Sequence, residues 1–265
     1  MSISLIIPTY RNPEYLDICL KSAIENQVNK NEIIVSVDGY IEESQHILDK
    51  YKNDIVILDL GENQGFQTAH NLAVMNASNE IVCIINDDNV LCKDWDKYIE
   101  QDFDLNTVMT VEQIEPVGPS IFNFHIKDLG KIPSEFRYEE FLKYELTLRE
   151  NKLTKDGGVF PFVISKKNYM IVGGFDTFYP SPYVCDWDFF LKLDLNNISF
   201  CKTHNIHFYH FGSTVLKKGK DESKFQSTTE AAHHVFYYKW GMGPQLFENN
   251  SHKPKQTIIK GIKYE

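Results

Sequence analysis

Residues 80–90 read EIVCIINDDNV, an apolar run from Ile81 to Ile85 that stops at Asn86-Asp87-Asp88-Asn89. A short, nearly continuous run of Ile, Val and Cys bounded by turn formers is the pattern of a strand covered on both faces. Working outward, Ile3 to Pro8, Ile33 to Val37 and Ile55 to Leu60 repeat it, and all three are predicted to be buried strands. Between them Glu14 to Asn26, Ile41 to Tyr51 and Gln67 to Ala77 carry apolar residues at helical spacing. Pro13 suits a helix start and Asn63-Gln64-Gly65 a turn. Strand and helix in alternation predict an α/β protein with an open, twisted, mostly parallel central sheet flanked by helices.

Ligands of such sheets bind beyond the carboxyl ends of the strands. That rule singles out Thr9 to Asn12, Asp38-Gly39, Glu62 to Gly65 and Asn86 to Asn89. The second half is less regular. Strands are expected at Val108 to Val117 and Val159 to Ser165, helices at Glu135 to Glu150 and Trp187 to Leu195, then paired strands at Ile198 to Cys201 and Ile206 to His210. A last helix is expected over Glu222 to Trp240. The organisation expected is a single domain over 1–245, in two halves, 1–105 and 106–245, with a polar tail at 246–265.

The 265 residues, 42% hydrophobic and 13% aromatic, suffice for a substantial core. No stretch approaches the roughly 20 apolar residues that span a bilayer, and no basic region precedes the first apolar run, so a cytoplasmic protein without a transmembrane segment is expected. The five cysteines form no CxxC pair and read as reduced core thiols. A net charge of -10 argues against nucleic acid as a partner. It also means that a diphosphate ligand would need a local cation, either a metal ion or a few well-placed basic residues.

Acidic residues directly after a buried strand are costly unless paired or metal-bound. If the backbone stays extended after Ile85, Asn86 and Asp88 face one way and Asp87 the other. Asp88 then offers itself to a divalent ion and Asn86 to a ribose or phosphate oxygen. The competing reading is a solvated turn that caps a helix at Trp95 to Phe103. Asp38-Gly39 is either a plain turn or a carboxylate that accepts from a nucleobase or ribose. Asn63 and Gly65 bring backbone near such a ligand, with Asn71 on the helix that follows.

Taken in order, SLIIPTYRNPEYLDICLKSAIENQ, EIIVSVDG, NQGFQTAHN and EIVCIINDDNV, then VGGFDTFYP, CDWDFFLKL, FYHFGST and YKWG, resemble the inverting family-2 glycosyltransferases of the GT-A fold. The resemblance runs from about Ser2 to Gly241 and implies that 1–105 is the nucleotide-binding half and 106–245 the acceptor-binding half. It implies a glycosyltransferase that uses a nucleotide-sugar donor, a uridine diphosphate sugar first among the choices, and a saccharide or glycoconjugate acceptor. It implies that Thr9, Tyr10 and Asp38 line the nucleoside pocket and that Asn86 and Asp88 occupy the ends of the DxD signature. Asp186 matches the catalytic base of the ED motif, and His210 a histidine that completes the metal site. The full donor-binding set expected is Pro8, Thr9, Tyr10, Arg11, Asp38, Asn63, Gly65, Asn71, Asn86, Asp87, Gly158 and Trp187. Two positions depart from the pattern: Asn86 stands where Asp opens the signature, and Cys185 where Glu is usual.

Inverting transfer needs a base for the acceptor proton and something to stabilise the departing diphosphate. Asp88 and His210 holding Mn²⁺, or Mg²⁺, supply the second. Asp186 and Asp188 lie roughly 200° apart on a helix, so only one faces the acceptor; the other caps or favours the helix N-terminus. Trp187, Tyr183, Tyr179 and Phe178 are either sugar-stacking or ordinary core and rim aromatics. Gly157-Gly158 is either a close approach to the donor sugar or a turn. His204, His207 and His210 suggest zinc by their spacing. His207 and His210 face opposite sides of a strand, however, and share an ion only across a bulge. Lys217, Lys218 and Lys220 offer a loop that closes over the diphosphate, or a solvated basic loop. The alternatives are a non-catalytic nucleotide-sugar-binding module and a nucleotidyltransferase, whose Gly-rich basic loop after the first strand is absent. A dinucleotide oxidoreductase is disfavoured because no GxGxxG opens the first helix.

Overall fold

The computed structural model describes residues 2–117, 125–212 and 222–244, with side chains of the last segment from 227 onward. Lys217, Lys218, Lys220 and the expected tail at 246–265 lie outside the described residues. The elements in order are β1 (Ile3–Thr9), α1 (Pro13–Glu25), β2 (Glu32–Val37), α2 (Ile41–Tyr51), β3 (Val56–Asp59), α3 (Phe66–Asn76), β4 (Ile81–Ile84), β5 (Asn89–Val90) and α4 (Trp95–Asp102). There follow β6 (Thr107–Glu115), β7 (His125–Ile126), α5 (Tyr138–Leu148), β8 (Leu153–Thr154), β9 (Phe162–Ser165), α6 (Lys166–Ile171), α7 (Cys185–Leu195), β10 (Ser199–His210) and α8 (Glu222–Trp240).

Among the described residues the strands form one sheet in the order β3-β2-β1-β4-β9-β6-β10-β5, with β7 beside β6 and β8 beside β10. The pairs β1–β2, β1–β4, β2–β3, β6–β10 and β6–β7 are parallel; β9 runs antiparallel between β4 and β6. One sheet thus takes strands from both halves of the chain. Side chains alternate across it, as period-2 geometry requires. Ile3, Leu5, Ile7, Ile33, Val35 and Cys83 pack with α1, α2, α4 and α5, while Ile6, Ile34, Val82 and Ile84 pack with α3, α6, α7 and α8.

Three strand expectations change. Ile55 to Leu60 is not a buried strand: β3 ends the sheet with a neighbour on one side only, leaving Val56 49% and Ile57 37% exposed. The paired strands expected at 198–201 and 206–210 are one strand, β10, whose register against β6 slips between Thr203 and His207. The strand expected from Val159 begins at Phe162, past Pro161, which has no N–H for a ladder.

Candidate functional site

The carboxyl ends of β1 and β4 are joined through one carboxylate. Thr9 Oγ1 donates to Asp87 Oδ2 at 2.7 Å, and Asn12 Nδ2 donates to Asp87 Oδ1 at 3.1 Å. Burial pushes Asp87 up to about 7, the charge of Asp88 adds to this, and the two hydrogen bonds oppose it. Asp87, expected to bind the donor, is turned toward β1 and the start of α1. The backbone here is not extended. Asn89 N–H donates to Asn86 O at 3.2 Å, and Asn89 Oδ1 accepts from Asn86 N–H at 3.0 Å, which closes a turn on Asp87-Asp88. Nor does the turn cap α4, whose preceding residue is Asp94. It is a buried turn, with Asn86 partly exposed.

Asp38, at the end of β2, organises the loop before α3. Its carboxylate accepts from Gln64 N–H at 2.6 Å, Gly65 N–H at 3.1 Å and Asn63 Nδ2 at 3.2 Å. Burial raises its pKa, and the two backbone donors oppose this. Gly39 has φ +83°, and a Cβ there would stand 2.8 Å from Asn63 N, so both its conformation and the approach of the loop call for glycine. Beside it Tyr10 meets the ring edge of Tyr40, centroids 5.9 Å apart. The Arg11 guanidinium lies over Tyr40 at 4.5 Å and pairs with Glu43 at 2.8 Å. Pro8 lies within β1, partly exposed, one residue before Thr9. Tyr40 was not singled out from sequence; its signal was an aromatic following the Asp-Gly turn.

Asp88 and His210 do meet. His210 Nε2 lies 3.4 Å from Asp88 Oδ1, and its Nδ1 lies 2.7 Å from Glu115 Oε1. Burial opposes charge on this imidazole, yet the two carboxylates hold its pKa up at about 10. Glu115, at the end of β6, was missed because nothing in its local sequence marks it; the β6–β10 pairing brings it to His210. The donor set suits a hard or borderline divalent cation. A carboxylate oxygen and an imidazole nitrogen face each other, and the far ring nitrogen is fixed by a second carboxylate, as metal-ligating histidines commonly are.

Asp186 and Asp188 both stand in the first turn of α7 but in different surroundings. Asp188 is fully buried: its Oδ1 accepts from Trp240 Nε1 at 2.8 Å and Tyr179 OH at 3.2 Å, with Lys239 Nζ at 2.8 Å, and Lys192 Nζ lies 3.6 Å from Oδ2. Asp186 is only partly buried, and its Oδ1 accepts from Trp187 N–H at 2.9 Å. Burial raises its pKa to about 6, against the backbone donors of the helix start. Trp187 is partly buried beside the core of that face. Cys185 is buried, its thiol directed at Pro182 O at 3.0 Å. Gln67, in the first turn of α3, donates to Ser181 O at 2.8 Å and to Tyr179 O at 3.3 Å, so the loop before α7 is tied to the strand-end side of the sheet.

Two expected donor-binding residues are engaged in the scaffold. Asn71 donates to Phe175 O at 2.8 Å and accepts from Tyr169 OH at 2.7 Å and Phe175 N–H at 2.9 Å. Gly158 is buried, its N–H donating to Thr110 Oγ1 at 3.0 Å. His204 and His207 do not join His210. Both lie at Glu112, His204 Nδ1 at 3.1 Å and His207 Nε2 at 3.0 Å from Oε2. The slip in β10 places them there.

The family model described as Glycosyl transferase family 2 matches residues 4–172. A curated relative, poly-beta-1,6-N-acetyl-D-glucosamine synthase of Staphylococcus aureus (strain COL), is 27% identical over 184 residues, which is 66% of this chain and 42% of the relative. The chain thus spans less than half the length of that protein. Among solved structures, S. aureus TarS 1–349 in complex with UDP-GlcNAc aligns with TM-score 0.56 at 16% identity, covering 97% of this chain and 78% of that one. The mannosyltransferase PcManGT from Pyrobaculum calidifontis, in complex with GDP-Man and Mn²⁺, aligns with TM-score 0.60 at 14% identity, covering 94% and 68%.

Proposed function

The chain belongs to glycosyl transferase family 2 and has the GT-A fold, and from that premise we propose that it transfers a sugar from a nucleotide-diphosphate sugar to a hydroxyl of a saccharide or glycoconjugate, with inversion. The observation that carries this reading is the meeting of Asp88, His210 and Glu115 beside the carboxyl end of β4, with the loops after β1 and β2 alongside. A uridine diphosphate sugar is the first choice of donor. The UDP-GlcNAc held by TarS supports it, and the name of the curated relative points to N-acetylglucosamine as the sugar. GDP-Man in PcManGT supplies the rival to be tested.

Asp186 is the general base. It takes the proton of the acceptor hydroxyl as that oxygen forms its bond to the anomeric carbon, and the bond to the diphosphate oxygen breaks on the opposite face. A carboxylate held near pKa 6 by burial is largely ionised at neutral pH and more basic than a solvated one. Asp88 and His210 would hold a divalent ion, Mn²⁺ ahead of Mg²⁺, and when bound it supplies charge stabilisation for the departing diphosphate. Glu115 fixes the ring of His210, and Asp87 fixes the turn that presents Asp88. Tyr10, Arg11 and Tyr40 form the nucleoside side of the pocket, shaped by Asp38 through Asn63 and Gly65; Trp187 flanks the sugar. Among the described residues no helix is long and apolar enough to cross a membrane. The five unpaired cysteines favour a reducing compartment, the cytoplasm.

The test is calorimetry of UDP, UDP-GlcNAc and GDP-Man, each with Mn²⁺ and with chelator, followed by release of free sugar from whichever binds. Metal-dependent binding of a UDP-sugar with slow hydrolysis is expected. Binding without turnover would make the chain a nucleotide-sugar-binding module, and binding of none would sink the reading.

A further inference from the structure

We propose that Glu112, His125 and His207 form a second metal site, for a zinc-class transition metal, separate from the Asp88–His210 position. Glu112 lies on β6, His207 opposite it on β10, and His125 on β7 beside β6. His207 Nε2 and His125 Nε2 lie 3.0 and 3.3 Å from the same oxygen, Glu112 Oε2, and the three ligand atoms fall within 4.8 Å of one another. Tetrahedral zinc with bonds of roughly 2.0–2.1 Å needs ligand atoms about 3.3 Å apart. The two nitrogen–oxygen separations already match that edge. The imidazole rings cross at 75° with centroids 5.0 Å apart, so they converge on the oxygen from different directions.

Hydrogen bonding alone accounts poorly for this arrangement. Three imidazole nitrogens, those of His125, His204 and His207, crowd Glu112 Oε2, which has two lone pairs to offer. Lys202 Nζ already sits 3.3 Å from the other oxygen, Oε1, and orients the carboxylate with Oε2 toward the histidines. A cation bound by the lone pairs of His125 and His207 would relieve that crowding. The surroundings are those of a ligand sphere. His207 Nδ1 makes no hydrogen bond but lies 3.6 Å from Oε1 of Glu145, a buried carboxylate clamped by Arg149. Metal-ligating histidines commonly aim their second nitrogen at such a carboxylate. His204 Nε2 is taken by Thr154 Oγ1 at 3.0 Å, which leaves its Nδ1 beside the site.

Glu115 and His210 lie three residues further along the same paired strands. An odd offset puts them on the opposite face of the sheet, about 10 Å away at 3.3 Å per residue. The two positions are therefore separable. His207 is fully buried and Glu112 nearly so, while His125 is 35% exposed, so the site opens to solvent on the β7 side. A metal there would pin β7, two residues long, to β6 and β10 and act as a structural tie.

The experiment uses the full chain, stripped with chelator and titrated with ZnCl₂, in the wild type, Asp88→Ala and His125→Ala. Asp88→Ala should still bind one Zn²⁺ per chain, with a rise in thermal midpoint like that of the wild type. His125→Ala, altered at a partly exposed residue, should bind that equivalent more weakly by at least the roughly 10–100-fold seen for loss of outer-shell partners, and lose the rise, while keeping Mn²⁺-dependent donor binding. Zn²⁺ affinity unchanged by His125→Ala, or abolished by Asp88→Ala, would overturn the proposal. Failure of donor binding in all three proteins, with the Zn²⁺ pattern intact, would instead count against the transferase reading.

Discussion

Asp38 and Asp87, at the ends of β2 and β4, accept hydrogen bonds from the loops around them: Gln64, Gly65 and Asn63 in one case, Thr9 and Asn12 in the other. Asp186, at the start of α7, accepts from the backbone of its own helix and keeps a partly exposed carboxylate. The first half thus holds these carboxylates by hydrogen bonds from neighbouring segments, whereas in the second half Asp186 is held by its own helix. Within α7 the same division recurs over one turn. Asp188 is spent on Trp240, Tyr179 and Lys239, so a residue two positions from the proposed base is pure scaffold.

That contrast is most exposed at Asp186. Asp186→Asn should lower the transfer rate by about 10³-fold, within the roughly 10²–10⁴-fold range of a general base, with donor affinity unchanged. Turnover at the wild-type rate would remove the base from this position. Asp188→Ala should do the reverse. Leaving two lysines and a tryptophan N–H without their buried acceptor should cost about 3 kcal/mol in urea unfolding, the scale for breaking a buried pair. Equal stability of Asp188→Ala and wild type would erase the division between the two residues.

The strand-end loops were legible in sequence because period and position are local signals: a buried run, then polar residues, at the end of the sheet where ligands gather. The Asp186/Asp188 split was half legible. Helical geometry separates them, but which one is buried depends on Trp240 and Lys239, more than fifty residues away. Glu115 and the Glu112–His125–His207 group were not legible. Their register depends on a slip in β10 and on β7, and neither leaves a mark in hydrophobic period. Asn71, in the middle of α3, bonds to Tyr169 and Phe175, a tie to a distant segment that no local sequence signal marks.

Asp38→Ala sharpens the comparison from the other side. Three donors lose their acceptor, which should cost about 1–2 kcal/mol of stability and weaken donor binding through a loosened Asn63–Gly65 loop. If donor affinity falls while stability holds, Asp38 touches the nucleoside directly, and the first half contributes a binding carboxylate as well as a scaffold.

The smallest expected effect is in pH. Burial raises Asp186 from an ordinary value of 3.8 to about 6. The base must be ionised to accept a proton, so kcat/KM should rise with pH to a plateau, reach half of it near pH 6 and fall about tenfold per unit below. The same shift has a consequence for folding. Between 3.8 and about 6 the folded chain holds this proton more tightly than the unfolded chain does. The stabilisation from that group is therefore full below 3.8 and lost as pH rises through 6. Asp186→Asn cannot titrate, so its stability profile should lack that downward slope while its residual rate loses the limb near pH 6. A rate limb that persists in Asp186→Asn would place the base elsewhere. A limb and a slope that vanish together would tie the raised pKa of one carboxylate both to the chemistry and to the stability lost in keeping it ionised.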